Sequence, residues 1–202
     1  MPGLSISNLG LGLSSSPVTS PVKPKIDEFS HELVLPTEIL ELSEKVEQGD
    51  LIRSLSFPWL EIFKQLEQNP ELLHDFSKYP RRFEEFIAAS YEKDGFSVTL
   101  TSHSADGGMD VIAEKSGFGA LRIIDQCKAF KRGRRVSPND VRAMMGTLTR
   151  ERNASKAVIT TTSFFAPSVA SEWEHYMPNR LELRDREGLL AWLQQLKNSP
   201  DE

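Results

Sequence analysis

Three polar side chains lie at the ends of two apolar runs in the middle of this 202-residue sequence. Asp110 opens the first run, Gln126 and Lys128 close the second, and a glycine-containing turn at residues 115–119 separates the runs. This pattern predicts a β-hairpin, and because side chains alternate along a strand, Gln126 and Lys128 project to the same side. The hairpin can bring Asp110 beside them. The cluster would then hold a carboxylate, an amide oxygen and an ammonium group. The two oxygens suit a hard divalent cation such as Mg²⁺, and the lysine ammonium could orient a water molecule.

Four blocks of sequence, in their order and spacing, resemble the Mrr-like (type IV) restriction endonuclease domain of the PD-(D/E)xK nuclease superfamily. The blocks are RFEEF before GF at residues 82–96, DGGMD at residues 106–110, QCK at residues 126–128 and VITTTSFF at residues 158–165. The likeness covers residues 80–197. In one departure, Gln126 stands where many relatives have Glu, and an amide supplies an oxygen without a charge.

The resemblance implies a metal-dependent endonuclease that hydrolyses DNA phosphodiester bonds, in restriction or anti-phage defence. Its catalytic residues would be Asp110, Gln126, Lys128 and Glu84. Its Mg²⁺, which Mn²⁺ can replace, would be held by Asp110, Gln126, the carbonyl of Cys127 and Glu84. Glu84 matches the family's helix glutamate that points toward the metal; the alternative is a solvated glutamate like its neighbour Glu85. The Cys127 side chain itself should point to the opposite face of the strand, into the core.

The charge of the chain is unevenly distributed. The formal net charge is −5, but residues 27–75 carry a net −9 and residues 122–156 a net +7. Phosphate contacts require Lys and Arg, so the second region is the expected DNA surface. Its densest part is a basic run just past Lys128, which either contacts phosphates or is only a solvated face: Lys131, Arg132, Arg134 and Arg135. His103 is a further candidate for contact with substrate, although a lone His is more often a surface residue.

Composition excludes several classes of protein. The single cysteine, Cys127, excludes an internal disulfide and a zinc site built from cysteines, which suits a reducing cytoplasmic compartment. No apolar stretch approaches the ~18 residues needed to span a membrane, so we expect no membrane partner.

The sequence divides into four segments. Residues 1–27 are rich in Ser, Pro and Gly and are expected to be a disordered arm, and residues 198–202 a tail. Residues 28–79 read as an acidic helical accessory segment that begins with a helix from Thr37 to Gly49. The apolar side chains of this segment either pack on the catalytic domain or form a surface for a homo-oligomer or a partner protein.

Residues 80–197 are the expected nuclease domain. Their periodicity gives the element order αβββαβαβα, which is a mixed sheet flanked by helices and matches the restriction-endonuclease-like fold that the resemblance implies. Ser137 followed by Pro138 marks a helix start. The apolar run at residues 156–162 is reached through this helix, so it should pair parallel to the Gln126 strand and lie centrally in the sheet.

A rival function comes from another class. Because Gln126 lacks a charge, the chain could be a catalytically weak or silent nuclease fold that binds nucleic acid or assembles with partner proteins in a defence complex. An enzyme that acts on RNA or on DNA ends is a third possibility.

Overall fold

A computed structural model describes residues 32–102 and 107–198, and over these residues the chain builds a seven-stranded mixed sheet. In spatial order the strands are β1 (Leu40–Val46), β2 (Gly49–Ser54), β3 (Ser97–Thr101), β4 (Val111–Lys115), β5 (Leu121–Lys128), β7 (Lys156–Thr161) and β9 (Leu181–Arg184). The strands from β1 to β5 pair antiparallel, whereas β5, β7 and β9 pair parallel. Two short strands, β6 (Arg135–Val136) and β8 (Phe164–Phe165), pair with each other beside it.

Helices cover both faces of the sheet. One face carries α1 (Ser56–Gln68), a 3₁₀ segment (Pro70–Lys78), α2 (Pro80–Lys93) and α5 (Arg186–Asn198). The other carries α3 (Pro138–Arg150) and α4 (Pro167–Trp173), and a second 3₁₀ turn (Glu174–Tyr176) follows α4. Neighbouring strand residues such as Ile123 and Ile124 therefore enter different apolar cores. No helix within the described residues is long and apolar enough to cross a membrane.

The predicted architecture of the second half of the chain is confirmed. Apart from the short β6 and β8, the elements from α2 to α5 follow the order αβββαβαβα. β7 pairs parallel with β5 and lies between β5 and β9, as a strand reached through the crossover helix α3 must. Ser137 caps α3 in a reciprocal capping box with Asp140.

The helix predicted from Thr37 to Gly49 is wrong, because this stretch forms the hairpin of β1 and β2. Its apolar residues Leu40, Leu42 and Val46 also fit the two-residue period of a strand, and pairing of β2 with β3 decides between the two readings. Gly49 permits this pairing. A Cβ built on Gly49 would lie 2.2 Å from the backbone oxygen of Leu100, so a larger residue would push the strands apart.

Three of the largest apolar side chains of the acidic segment are covered within the chain itself. Trp59, Phe63 and Leu66 are 1%, 2% and 0% exposed, and they belong to the same core as Phe83 and Phe86 of α2. The Trp59 indole also donates a hydrogen bond of 2.9 Å to the hydroxyl of Ser90 on α2. Of the two predicted roles for these side chains, packing against the rest of the protein is the one observed.

Candidate active site

The β4–β5 hairpin places Asp110 beside the end of β5, as predicted. The Asp110 amide donates to the Asp125 carbonyl at 2.9 Å, which continues the ladder between the strands. The Asp110 carboxylate accepts a hydrogen bond of 2.7 Å from the Cys127 amide. Because Cys127 lies between Gln126 and Lys128, this bond fixes the carboxylate at the edge of the predicted cluster.

Two glycines let the loop before Asp110 pass close to Gln126. Gly107 and Gly108 both have positive φ angles, 56° and 89°, which side chains with a Cβ rarely adopt. A Cβ on Gly108 would lie 3.1 Å from Gln126 Nε2. Thr147 of α3 holds the loop by donating a 2.8 Å hydrogen bond to the Gly107 carbonyl. His103, the candidate substrate contact predicted in this loop, lies outside the described residues.

The Gln126 side chain has a buried acceptor, its amide oxygen. Among the described residues, its Oε1 is buried and has no hydrogen-bond partner. Leaving such an atom unpaired costs about 1–3 kcal/mol, so the site favours a donor or a cation at this oxygen.

Lys128 lies on the same face of β5 as Gln126, toward α3. Its Nζ is 3.6 Å from Asp140 Oδ1, and its carbonyl accepts a 2.8 Å hydrogen bond from the Thr161 hydroxyl of β7. Sequence reasoning did not place Asp140 near Lys128. Its position beside Lys128 depends on how α3 docks on the sheet, which no local pattern reveals.

Glu84 is buried, so the predicted alternative of a solvated glutamate is wrong. Its carboxylate accepts from Arg81 at 2.8 Å, and the same guanidinium nitrogen donates to the Thr101 carbonyl at 2.9 Å. Thr101 in turn donates its amide to the Asp110 carbonyl at 3.1 Å. Glu84 is therefore linked to the Asp110 strand through Arg81.

The Cys127 side chain packs against the core on the α2 side of the sheet, opposite to Gln126 and Lys128, as predicted. Burial raises its pKa well above the ordinary value, and the carboxylates of Asp125, Asp110 and Glu84 raise it further. The thiol is therefore protonated at neutral pH.

The residues present fit a hard cation. Asp110 offers a carboxylate and Gln126 an oxygen that no described residue pairs with, and oxygen ligands of this kind suit Mg²⁺. The site supplies little negative charge to a cation, since within residues 32–102 and 107–198 no three His, Cys, Asp or Glu side chains form a cluster that could hold a metal ion.

The basic loop, residues 131–135, is exposed but firmly attached at both ends. Before the loop, the Phe130 amide donates to the Thr162 hydroxyl at 2.8 Å, and at its last residue, Arg135, β6 begins to pair with β8. The Ser163 hydroxyl also donates to the Arg134 carbonyl. The Arg134 guanidinium lies 4.2 Å from the centre of the Phe130 ring. The loop thus presents its cations from an ordered backbone.

A buried polar cluster behind the site was missed in the sequence. Asp125 is 0% exposed and accepts from the hydroxyls of Tyr91 at 3.0 Å and Thr160 at 2.7 Å. Burial raises the pKa of Asp125, although the nearby Arg184 opposes the shift. In the sequence, an acid inside the apolar run LRIID could have indicated this cluster. The cluster joins α2, β5 and β7 directly behind Gln126.

Two solved structures resemble the chain distantly. The MspJI restriction endonuclease in complex with a 27-mer oligonucleotide is 19% identical, with a TM-score of 0.42, and the match covers 70% of this chain and 31% of that one. The DNA modification-dependent restriction endonuclease AspBHI is 17% identical, with a TM-score of 0.49, and the match covers 80% of this chain and 40% of that one. The matched region is thus less than half the length of either protein. No curated protein matches the chain.

The family comparison is more direct. The model of the Mrr_cat family, described as a restriction endonuclease, matches residues 77–193, more than half of the chain. The matched region contains α2, the β4–β5 hairpin, the basic loop and β7. The resemblance read from the four sequence blocks is confirmed, and the chain belongs to the Mrr_cat restriction endonuclease family.

Proposed function

We propose that this protein is a metal-dependent endonuclease that hydrolyses phosphodiester bonds in DNA. The observation that carries the proposal is the end of the β4–β5 hairpin. There Asp110 is fixed by the Cys127 amide, Gln126 Oε1 is buried without a partner among the described residues, and Lys128 lies on the same face as Gln126. A member of a restriction endonuclease family with this arrangement has the parts that such a reaction needs.

Each residue has a proposed task. Asp110, the Gln126 side-chain oxygen, the Cys127 carbonyl and Glu84 would hold Mg²⁺, or Mn²⁺ in its place. A bound cation of this kind polarises a phosphate and lowers the pKa of water. Lys128 would orient the attacking water and stabilise the negative charge that develops on the phosphate.

The test is incubation of the purified protein with supercoiled plasmid, modified DNA and RNA, in Mg²⁺, in Mn²⁺ and in chelator. We expect nicked or linear plasmid only in the samples with metal. Cleavage that persists in chelator would contradict the metal site. Cleavage of RNA alone would replace DNA as the substrate. A role in restriction or anti-phage defence would appear as lower phage yield in cells that express the active protein.

The basic loop is proposed to contact DNA phosphates. Replacing Lys131, Arg132, Arg134 and Arg135 with Ala should weaken binding of all DNA sequences alike, because phosphate contacts carry no sequence information. Each lost contact reduces the slope of log K against log salt by roughly 0.9, so four contacts would flatten it by about 3 to 4. An unchanged slope in a salt titration would mean that the loop is only solvated.

A second candidate function is a nuclease fold that binds DNA without cutting it. The neutral Gln126 and the sparse charge of the metal site favour it. Retained DNA binding, with no cleavage in any metal, would support this candidate over the first.

Self-association, or docking of a partner protein, is proposed for residues 28–79. Within the described part of this segment, four large apolar side chains remain exposed by more than half: Val34, Leu42, Phe57 and Tyr79. Trp59, Phe63 and Leu66 of the same segment are buried and cannot form this surface. Replacing all four with Ser should lower the mass measured by light scattering if the segment joins two copies.

A further inference from the structure

The Lys128 ammonium group has a carboxylate neighbour on the helix that follows the basic loop. Its Nζ lies 3.6 Å from Asp140 Oδ1, and the two side chains are 24% and 28% exposed. We propose that Asp140 is a positioning residue that holds Lys128 Nζ where it acts on the substrate. This inference rests on the proposed function, in which Lys128 touches the attacking water and the phosphate.

The Asp140 carboxylate is itself held rigidly. Its Oδ2 accepts hydrogen bonds from the Ser137 amide at 2.8 Å and from the Ser137 hydroxyl at 2.7 Å. The Asp140 amide donates back to the Ser137 hydroxyl at 3.3 Å, which completes the capping box of α3. One carboxylate oxygen is therefore fixed by the helix cap, and the other faces Lys128.

The Asp140 carboxylate is charged at neutral pH. Burial opposes its ionisation, but the two Ser137 hydrogen bonds and the charge of Lys128 outweigh burial, so its pKa lies below the ordinary value. A fixed anion is an effective partner for lysine, because it restrains a flexible side chain that otherwise samples many rotamers. The backbone of Lys128 is held separately by the Thr161 hydroxyl and the Thr162 amide. Asp140 thus restrains the mobile end of a side chain whose base is already fixed.

The alternative is that Asp140 only caps the helix, and a matched pair of variants separates the two roles. Asp140→Asn keeps an oxygen that can accept from Ser137 but removes the charge that faces Lys128. Ser137→Ala weakens the same cap but keeps the charge. We expect both variants to lower the melting temperature slightly.

Asp140→Asn should lower kcat by about 10- to 100-fold, a usual effect of losing a residue that orients an active group. Ser137→Ala should lower kcat much less, because the Ser137 amide still holds the charged Asp140 carboxylate. The DNA affinity of Asp140→Asn should stay within about twofold of the wild type, because losing an interaction that acts only in the transition state lowers kcat without weakening ground-state binding. Asp140→Glu, which keeps the charge, should recover part of kcat. Equal kcat values for Asp140→Asn and Ser137→Ala would overturn the positioning role.

A second measurement does not need activity. A double-mutant cycle with Lys128→Met and Asp140→Asn, followed by urea unfolding, isolates the coupling of the two side chains. We expect a coupling of up to about fivefold in the unfolding constant, as for partly exposed ion pairs. No coupling would overturn the inference. A wild-type protein that cuts no substrate would overturn the proposed function instead, and the cycle would still decide whether Asp140 holds Lys128.

Discussion

At the scale of single residues, removal of the Lys128 side chain should abolish cleavage without preventing folding. It is partly exposed, and its contact with Asp140 lies near the surface, so it contributes little to the core. We expect Lys128→Ala to abolish metal-dependent plasmid cleavage while the melting temperature changes by only a few degrees. Lys64, an exposed lysine on α1, provides the control: Lys64→Ala should cut at the wild-type rate. A Lys128→Ala protein that also cuts at that rate would exclude Lys128 from the mechanism.

Gln126 tests the metal site without relying on cleavage. A carboxylate in its place adds a negative charge next to Asp110, so Gln126→Glu should bind Mg²⁺ or Mn²⁺ more tightly. An increase of about tenfold corresponds to roughly 1.4 kcal/mol and is measurable by calorimetry. Gln126→Met, which has no amide oxygen, is the matched control and should bind metal more weakly than the wild type. Weaker binding by Gln126→Glu would contradict the proposed coordination.

The sequence predicted the part of the site that local rules determine. Alternation along β5 places Gln126 and Lys128 on one face, and the hairpin brings Asp110 to them, because both relations hold within one short stretch of chain. Asp140 and Arg81 were not predicted as neighbours of the site. Their positions depend on the docking of α3 and α2 against the sheet, and the side chains carry no local signal of that docking.

At the scale of elements, the pairing of β2 with β3 depends on the close approach of Gly49 to the β3 backbone. A Cβ at this position would meet the backbone of Leu100 at 2.2 Å, and backbone atoms cannot rotate away. We expect Gly49→Ala to destabilise the protein by roughly 1–3 kcal/mol, a typical cost of overpacking. The measurement is the free energy of unfolding in urea.

Gly146 is the matched control for this substitution. It lies within α3, and a Cβ there would meet nothing within 4 Å. Gly146→Ala should therefore stabilise the helix by about 0.5–1 kcal/mol. If the two glycine variants changed stability equally, the close approach of β2 to β3 would not be what Gly49 provides.

The same hairpin shows where element prediction failed and why. Leu40, Leu42 and Val46 fit a helix face as well as a strand face, and the segment is too short for periodicity to decide. The strand conformation is favoured over the helix because β2 pairs with β3, which lies more than 40 residues further along the chain. The β3–β5 strands and α3 were predicted correctly because their turns and caps mark their ends: Gly117, Gly119 and Ser137.

At the scale of the whole molecule, the sheet and its core extend beyond the residues that match the family. The match begins at residue 77, yet residues before it supply two strands and a helix to the same sheet and core. Seven apolar side chains between Ser56 and Lys78 are buried: Trp59, Ile62, Phe63, Leu66, Leu72, Leu73 and Phe76. At about 1.5–3 kcal/mol each, their burial contributes roughly 10–20 kcal/mol, as much as the total stability of a typical domain or more.

Residues 80–198 alone are therefore expected not to fold, although they contain every described residue of the proposed site. Removing the preceding residues would uncover Phe83, Phe86 and Ile87, which are now 0% exposed, and would leave β3 as an open edge. We expect this fragment to lack a cooperative thermal transition and the near-ultraviolet circular dichroism of packed aromatic rings. A fragment of residues 32–198 keeps both described cores and should retain the transition. If residues 80–198 melted cooperatively and nicked plasmid, the acidic segment would be a separable accessory after all, and its strands and helix would be additions to an independent nuclease core.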